Sequence, residues 1–208
     1  MVDVPTSYTT ASKSFFCYTS DVKKFIYLVR HAESKTNVDP FFEGEDVLSE
    51  SGEIQATSIA PRFKHQKIEQ IYTSKILRAR LTADEISKVT GTSPVIQDFL
   101  GERKGAFSDD SKYSYTESFD ALKARMESAR ELLEAENDIR HIVVISHSIF
   151  LRSLAAYLML GDLLTEELLL RIEDSLVMDN TGISKLVFDI ESRKWRILSW
   201  NDLAHLME

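Results

Sequence analysis

Two stretches of the chain share one shape, an apolar run of strand length that stops on a polar pair. Phe25-Ile26-Tyr27-Leu28-Val29 ends on Arg30-His31, and His141-Ile142-Val143-Val144-Ile145-Ser146 ends on His147-Ser148. Runs that are apolar without alternation read as strands buried on both faces, the habit of a parallel sheet covered by helices. Ile71-Tyr72-Thr73-Ser74 reads as a third strand and Pro94-Val95-Ile96-Gln97 as a fourth. Between them the spacing turns helical. Ser49 is placed to cap a helix with Glu50 and Glu53 in its first turn and Ala56, Ile59, Ala60 and Phe63 on one face, which Pro61 should end near Ala60. Ile76, Ala79, Ala83 and Ile86 form the stripe of the next helix, stopped by Gly91. A long amphipathic helix is expected over 116–136, burying Phe119, Leu122, Met126, Ala129 and Leu133. An interior helix follows over 149–160, then a short one capped by Thr165 and running through Arg171. Leu186, Phe188 and Ile190 then alternate with polar residues, 191–194 turns, and 195–200 alternates again, as an antiparallel hairpin does. The fold class that follows is α/β: a three-layer α/β/α sandwich, mainly parallel, with an antiparallel C-terminal edge hairpin.

In open α/β sheets ligands bind outside the carboxyl ends of the strands, where both polar pairs would lie. Parallel neighbours are about 4.8 Å apart, so His31 and His147 can converge on one small ligand. Arg78, four residues after Ser74, falls in the first turn of a helix and brings a second guanidinium to the same edge. Two guanidiniums, two imidazoles and a helix N-terminus suit a compact dianion, best a phosphoryl group. The loop over 34–47, broken by Asp39-Pro40 and Gly44, must cross the mouth of this site. Phe41 and Phe42 in it are lid residues or plain packing, and packing is the commoner fate. His65, His141, His205, Arg62 and Arg80 have no such company and read as structural or surface groups.

Composition narrows the choice. A chain of 208 residues suits one α/β domain, read here as a catalytic domain over 23–208 behind an N-terminal extension over 1–22. The extension is rich in Ser and Thr, and its longest apolar run, Phe15-Phe16-Cys17-Tyr18, is far short of a signal-peptide core or a membrane span. Phe15 and Phe16 folding over the pocket is the functional alternative to a plain tail. With 33 acidic against 25 basic residues the net charge is −8, a field that repels nucleic acid and anionic membrane. Any phosphate site must therefore be locally cationic. One cysteine permits no internal disulfide, and the five histidines show no metal-ligand spacing, so a cytoplasmic setting without metal or other cofactor is expected.

Arg30-His31-Ala32-Glu33-Ser34 with Asn37, then Leu48-Ser49, Gly52 and Gln55-Ala56, then Ser74 with Arg78-Ala79 and Thr82-Ala83, then Leu100 with Glu102, then Ser146-His147, together resemble the histidine phosphatase superfamily, phosphoglycerate-mutase-like branch. The likeness runs in order over roughly residues 24–206. It implies a metal-independent phosphomonoester hydrolase acting on a phosphorylated small molecule through a phosphohistidine at His31. It further implies that Arg30, Arg78 and His147 bind the phosphoryl group, that Glu102 is the general acid, and that Asn37, Ser34, Arg103 and Ser148 contact substrate. Gly105 follows Glu102 by three residues where the family usually has four, so Asp98, Asp109 or Asp110 stand as alternatives for the acid. Ser148 after His147, and no Arg three residues past His31, argue against the acid-phosphatase branch. The alternatives are a phosphoglycerate mutase, which would call for more than the fourteen residues between Glu102 and Glu117, and a phosphate-binding regulatory module without turnover, which would be expected to lack one of the four core residues.

Overall fold

The computed structural model of the chain describes residues 23–107, 113–135 and 138–207; the expectations on residues 1–22, Asp109 and Asp110 fall outside these. Six strands form one sheet in the order β3-β2-β6-β1-β7-β8. They are β1 (Lys23–Arg30), β2 (Gln70–Thr73), β3 (Pro94–Ile96), β6 (His141–Ser146), β7 (Ile183–Asp189) and β8 (Lys194–Asp202), while β4 (Gly105–Phe107) and β5 (Tyr113–Tyr115) pair with each other as a separate hairpin. The first four strands in that order run parallel; β7 runs against β1, and β8 against β7. The expected three-layer, mainly parallel sandwich with an antiparallel edge is what forms.

The described residues form six α-helices, α1 (Lys35–Val38), a single turn in the loop after His31, α2 (Glu50–Ile59), α3 (Leu77–Thr90), α4 (Phe119–Glu134), α5 (Ser148–Leu160) and α6 (Glu166–Ser175). Alternate residues of the strands feed two cores. Ile26, Leu28, Ile142, Val144, Leu186 and Phe188 meet α4 and α5 through Leu122, Met126, Phe150 and Leu154. Tyr27, Val29, Val143 and Ile145 meet Ile59, Phe63, Ala79, Ala83 and Ile86 on the other face. Each large apolar side chain taken fully from water contributes about 1.5–3 kcal/mol. The middles of β1, residues 25–29, and of β6, residues 142–145, are therefore apolar without alternation because helices lie on both sides of them.

Several boundaries move, each for a local reason. Pro61 ends α2 at Ile59 as expected, and the chain continues as a 3-10 turn over Ala60–Phe63. Helix α4 starts at Phe119, not near 116, because 113–115 belong to the hairpin and the Thr116 and Glu117 N–H groups both donate to the Lys104 carbonyl. Ser118 then caps it, accepting from Ala121 N at 3.2 Å. Helix α6 runs on to Ser175, since the buried Glu173, which breaks the apolar pattern, is satisfied by Tyr115 and Ser153. β7 is an interior strand beside β1, leaving β8 as the edge. Phe41 is 81% exposed, so packing is not its role. Among the described residues no helix is long and apolar enough to cross a membrane.

Candidate active site

The register of β1 against β6 aligns Arg30 with Ser146, so His31 and His147 leave the sheet side by side. Their ring centroids are 5.0 Å apart, and the two residues are 2% and 0% exposed. β2 ends one strand away at Thr73, and Ser74 after it accepts the Ile76 N–H at 3.2 Å, which turns the chain into α3. One turn into that helix Arg78 reaches back over both histidines. Its Nε donates to His31 Nε2 at 2.9 Å, its Nη2 to His147 Nδ1 at 3.0 Å, and its Nη1 to the Asp46 carboxylate.

These contacts fix both tautomers. His31 Nδ1 donates to the Ala32 carbonyl at 2.7 Å, leaving Nε2 with its lone pair outward. His147 Nε2 donates to Ser74 Oγ at 2.9 Å, leaving Nδ1 as the acceptor for Arg78. Both imidazoles are held well below their ordinary pKa of 6.5, by burial first and then, for His31, by the Arg78 charge and, for His147, by the cost of charging a second ring beside His31 and by Arg78. Both are neutral at pH 7. For His31 that is the nucleophilic form.

Glu102 arrives from the far side. Ser146 Oγ donates to the Leu100 carbonyl at 2.6 Å and ties the segment after β3 to the end of β6. The Glu102 carboxylate then lies over the N-terminus of α5, taking N–H groups from Phe150 at 3.0 Å and Ile149 at 3.4 Å, and from Arg103 at 2.9 Å. Burial pushes its pKa up, and those three N–H groups pull against it without reversing the direction. Asp98, an alternative for the acid, points outward toward Lys75 with its side chain 79% exposed. Arg30 donates from Nη1 to the Met178 carbonyl at 2.8 Å, while its buried Nε has no partner among the described residues. An unpaired guanidinium N–H beside two neutral histidines is what an incoming oxyanion would satisfy.

The remaining expected residues divide. Ser148 Oγ shares the Met178 carbonyl with Arg30, at 3.2 Å. Ser34 is fully buried, and Asn37 Oδ1 accepts its N–H at 3.1 Å, so both shape the loop after His31. Arg103 is placed differently: it is 1% exposed, stacked on Tyr115 at 3.7 Å and paired with Glu166 at 2.9 Å. Its hydrogen bonds and ring contact run to α6 and the hairpin.

Sequence reasoning passed over three groups. Thr82 accepts the Ala32 N–H at 3.0 Å and donates to the Arg78 carbonyl at 2.8 Å, joining the loop after His31 to the helix; its place in the Arg-x-x-x-Thr spacing was the available signal. Asp46 is held by Thr36 Oγ1 at 2.8 Å while it faces Arg78. Burial raises its pKa, but Thr36 and Arg78 together hold it below the ordinary value. Nothing in a charged loop residue announces this. Asn180 donates to the His31 carbonyl at 2.9 Å, where its sequence reads only as a turn before a strand.

Comparison with known proteins agrees with this geometry. A protein of Schizosaccharomyces pombe named as a probable phosphatase is 33% identical over 157 residues, 64% of this chain and 55% of its own. This chain thus spans about half the length of that relative. The metal-independent phosphoserine phosphatase of Arabidopsis thaliana is 30% identical over 209 residues, 87% of this chain and 82% of that one. Among solved structures, a phosphoserine phosphatase mutant of Entamoeba histolytica in complex with phosphoserine superposes with a TM-score of 0.67 at 20% identity, covering 88% of this chain and 99% of that one. At that identity the likeness speaks to the fold. The chain itself matches the family described as "Histidine phosphatase superfamily (branch 1)" over residues 26–109 and 102–203, the span that carries the two strand-end histidines, Arg78 and Glu102, and it belongs to that superfamily.

Proposed function

We propose that the protein is a phosphomonoester hydrolase that works through a phosphohistidine at His31, on a small phosphorylated substrate and in the compartment its composition suggests, the cytoplasm. The observation that carries this reading is the neutral His31 with its Nε2 lone pair turned toward Arg78 and His147. A substrate phosphoryl group replaces His31 as the partner of Arg78 and pairs with the free Arg30 Nε. Its negative charge reverses the field at His147 and favours the protonated ring, which then donates to a phosphoryl oxygen. Nε2 attacks phosphorus; the N–P bond forms as the P–O bond to the leaving group breaks, and the departing oxygen takes the proton of Glu102. Water then gives a proton back to the Glu102 carboxylate as it attacks phosphorus, the N–P bond breaks, and phosphate leaves.

The relatives named as phosphoserine phosphatases support hydrolysis and put phosphoserine first among substrates to try. A mutase reading would require a cationic clamp for a substrate carboxylate, and Arg103, the candidate for it, is turned to Glu166 and stacked on Tyr115. The test is a phosphate-release panel with phosphoserine, phosphoglycerates, sugar phosphates, nucleotides and phosphopeptides, with His31→Ala as control. Quenched enzyme is expected to carry a label on His31 that survives base and is lost in acid. Chase of that label onto a phosphoglycerate instead of water would replace hydrolase by mutase, and no release from any substrate would leave a binding module.

A further inference from the structure

The segment before β7 is built with more care than a connection needs. Thr181 is a β-branched residue with φ +58°, in the left-handed region that such side chains avoid. Its hydroxyl donates to the Asn180 carbonyl at 2.7 Å and accepts from His205 Nε2 at 3.0 Å, which holds it there. Asn201, also left-handed at φ +53°, receives the Asp179 N–H at 2.9 Å and returns a bond to its carboxylate at 2.8 Å. Gly182 leaves the room this needs, for a Cβ there would sit 2.1 Å from Asn201 Oδ1. Backbone strain of this kind persists only where surrounding contacts over-determine it, and it gathers at sites that need a fixed geometry.

What the segment touches is the nucleophile's own backbone. The Thr181 N–H donates to the Arg30 carbonyl at 3.0 Å, and Asn180 Nδ2 donates to the His31 carbonyl at 2.9 Å and to Asn37 Oδ1 at 3.3 Å. Asn37 Oδ1 in turn accepts the Ser34 N–H, so two carboxamides bracket residues 31–34. On the other side the His31 N–H donates to Ser146 O at 2.9 Å. His31 stands one residue past the end of β1: its N–H is still held by β6, while its carbonyl is held, among the described residues, only by this segment, through the Asn180 carboxamide and, at 3.4 Å, the Thr181 N–H. We propose that Asn180, aimed by the strained 178–182 segment, is a positioning residue: its carboxamide clasps the His31 carbonyl and sets the imidazole for in-line attack. This rests on His31 being the nucleophile. It acts on rate and not on anion binding, because Arg30, Arg78 and His147 hold the phosphoryl group without it.

Asn180→Ala removes the clasp, and Asn180→Asp keeps the shape but replaces the donor with an acceptor facing the His31 carbonyl and Asn37 Oδ1. The reaction to follow is release of nitrophenolate from p-nitrophenyl phosphate with enzyme in saturating excess over substrate, a rate that does not depend on what fraction of the enzyme is folded. Both variants are expected to slow this single turnover by about 10–100-fold, as small misplacements of a reacting atom do, with KM and inhibition by inorganic phosphate within about twofold of wild type. Wild-type single-turnover rates in either folded variant, or a loss carried wholly by KM, would overturn the assignment. If His31→Ala keeps turning over, the phosphohistidine reading itself falls, a result separable from the first because it does not involve Asn180.

Discussion

A carboxyl group that is to give away a proton near neutral pH must be kept from water, and Glu102 gets that from its place over α5. The same place gives it three N–H donors that favour the carboxylate, which suits the second half of the proposed reaction, in which it accepts a proton. A general acid matters in proportion to how badly the leaving oxygen needs a proton, and contributes about 10²–10⁴-fold. Glu102→Gln should therefore slow the single-turnover attack strongly on an alkyl phosphate such as phosphoserine and only weakly on p-nitrophenyl phosphate. Equal rates for both substrates in Glu102→Gln and wild type would remove Glu102 from this role. At this scale His31, Arg30, Arg78 and His147 were readable, because strand ends and a fixed helical offset determine where they go. Asp46 and Asn180 were not, since their roles depend on loops that approach the site from 34–47 and 178–182, and loop approach leaves no periodicity to read. Arg103 stands next to Glu102 in sequence, yet the hairpin and α6 bury its side chain, which reaches out to the half-exposed Glu166.

Element by element, the loop after His31 is held by the helix that follows it. Ser49 caps α2 by accepting the Gly52 N–H at 3.0 Å and also donates to Glu33 Oε1 at 2.6 Å, while Ser49 N donates to the Glu33 carbonyl. Gly52 lets this happen: a Cβ there would lie 1.9 Å from the Glu33 carbonyl oxygen, which is backbone and cannot swing aside. Gly52→Ala must then push α2 off the loop, at a cost of about 1–3 kcal/mol in stability, read as a lowered urea midpoint. Turnover should fall with it, because residues 31–34 move too. A variant as stable and as active as wild type would mean that α2 is free to slide. The cap itself was legible, Ser49 with Glu53 following; the close approach was not, because a glycine inside a helix has many possible reasons. Helix α6 was cut short in prediction at Arg171 for a related cause, since Glu173 is polar in sequence but buried and bonded in the fold.

Across the whole molecule, the architecture came through the apolar runs of β1 and β6 and the helical stripes around them. What they left out was that β7 pairs with β1 as an interior strand, a pairing between distant segments, and the small local β4-β5 hairpin, whose three-residue strands are too short to show a pattern. The neutral histidines at its centre make the folded state sensitive to acid. Their folded pKa values are depressed, so the stability tied to them is complete above the unfolded value of about 6.5 and is lost as pH falls below it. Glu102, raised by burial, acts with the opposite sign, favouring the fold below its unfolded value and less so as pH rises past it. Urea midpoints taken between pH 7.5 and 5 should decline for wild type and decline less for a His31→Gln, His147→Gln double variant. Parallel curves for the two proteins would place the acid sensitivity elsewhere. The wedge that Arg78 makes between the two rings has one more consequence. Two imidazoles 5.0 Å apart form half of a trap for zinc, nickel or copper ions, the metals that imidazole nitrogen binds best. A fixed guanidinium that donates to the open nitrogen of each fills both lone pairs and sets a positive charge where a cation would have to enter, so the side chain proposed to receive phosphate also stands in the way of such a metal.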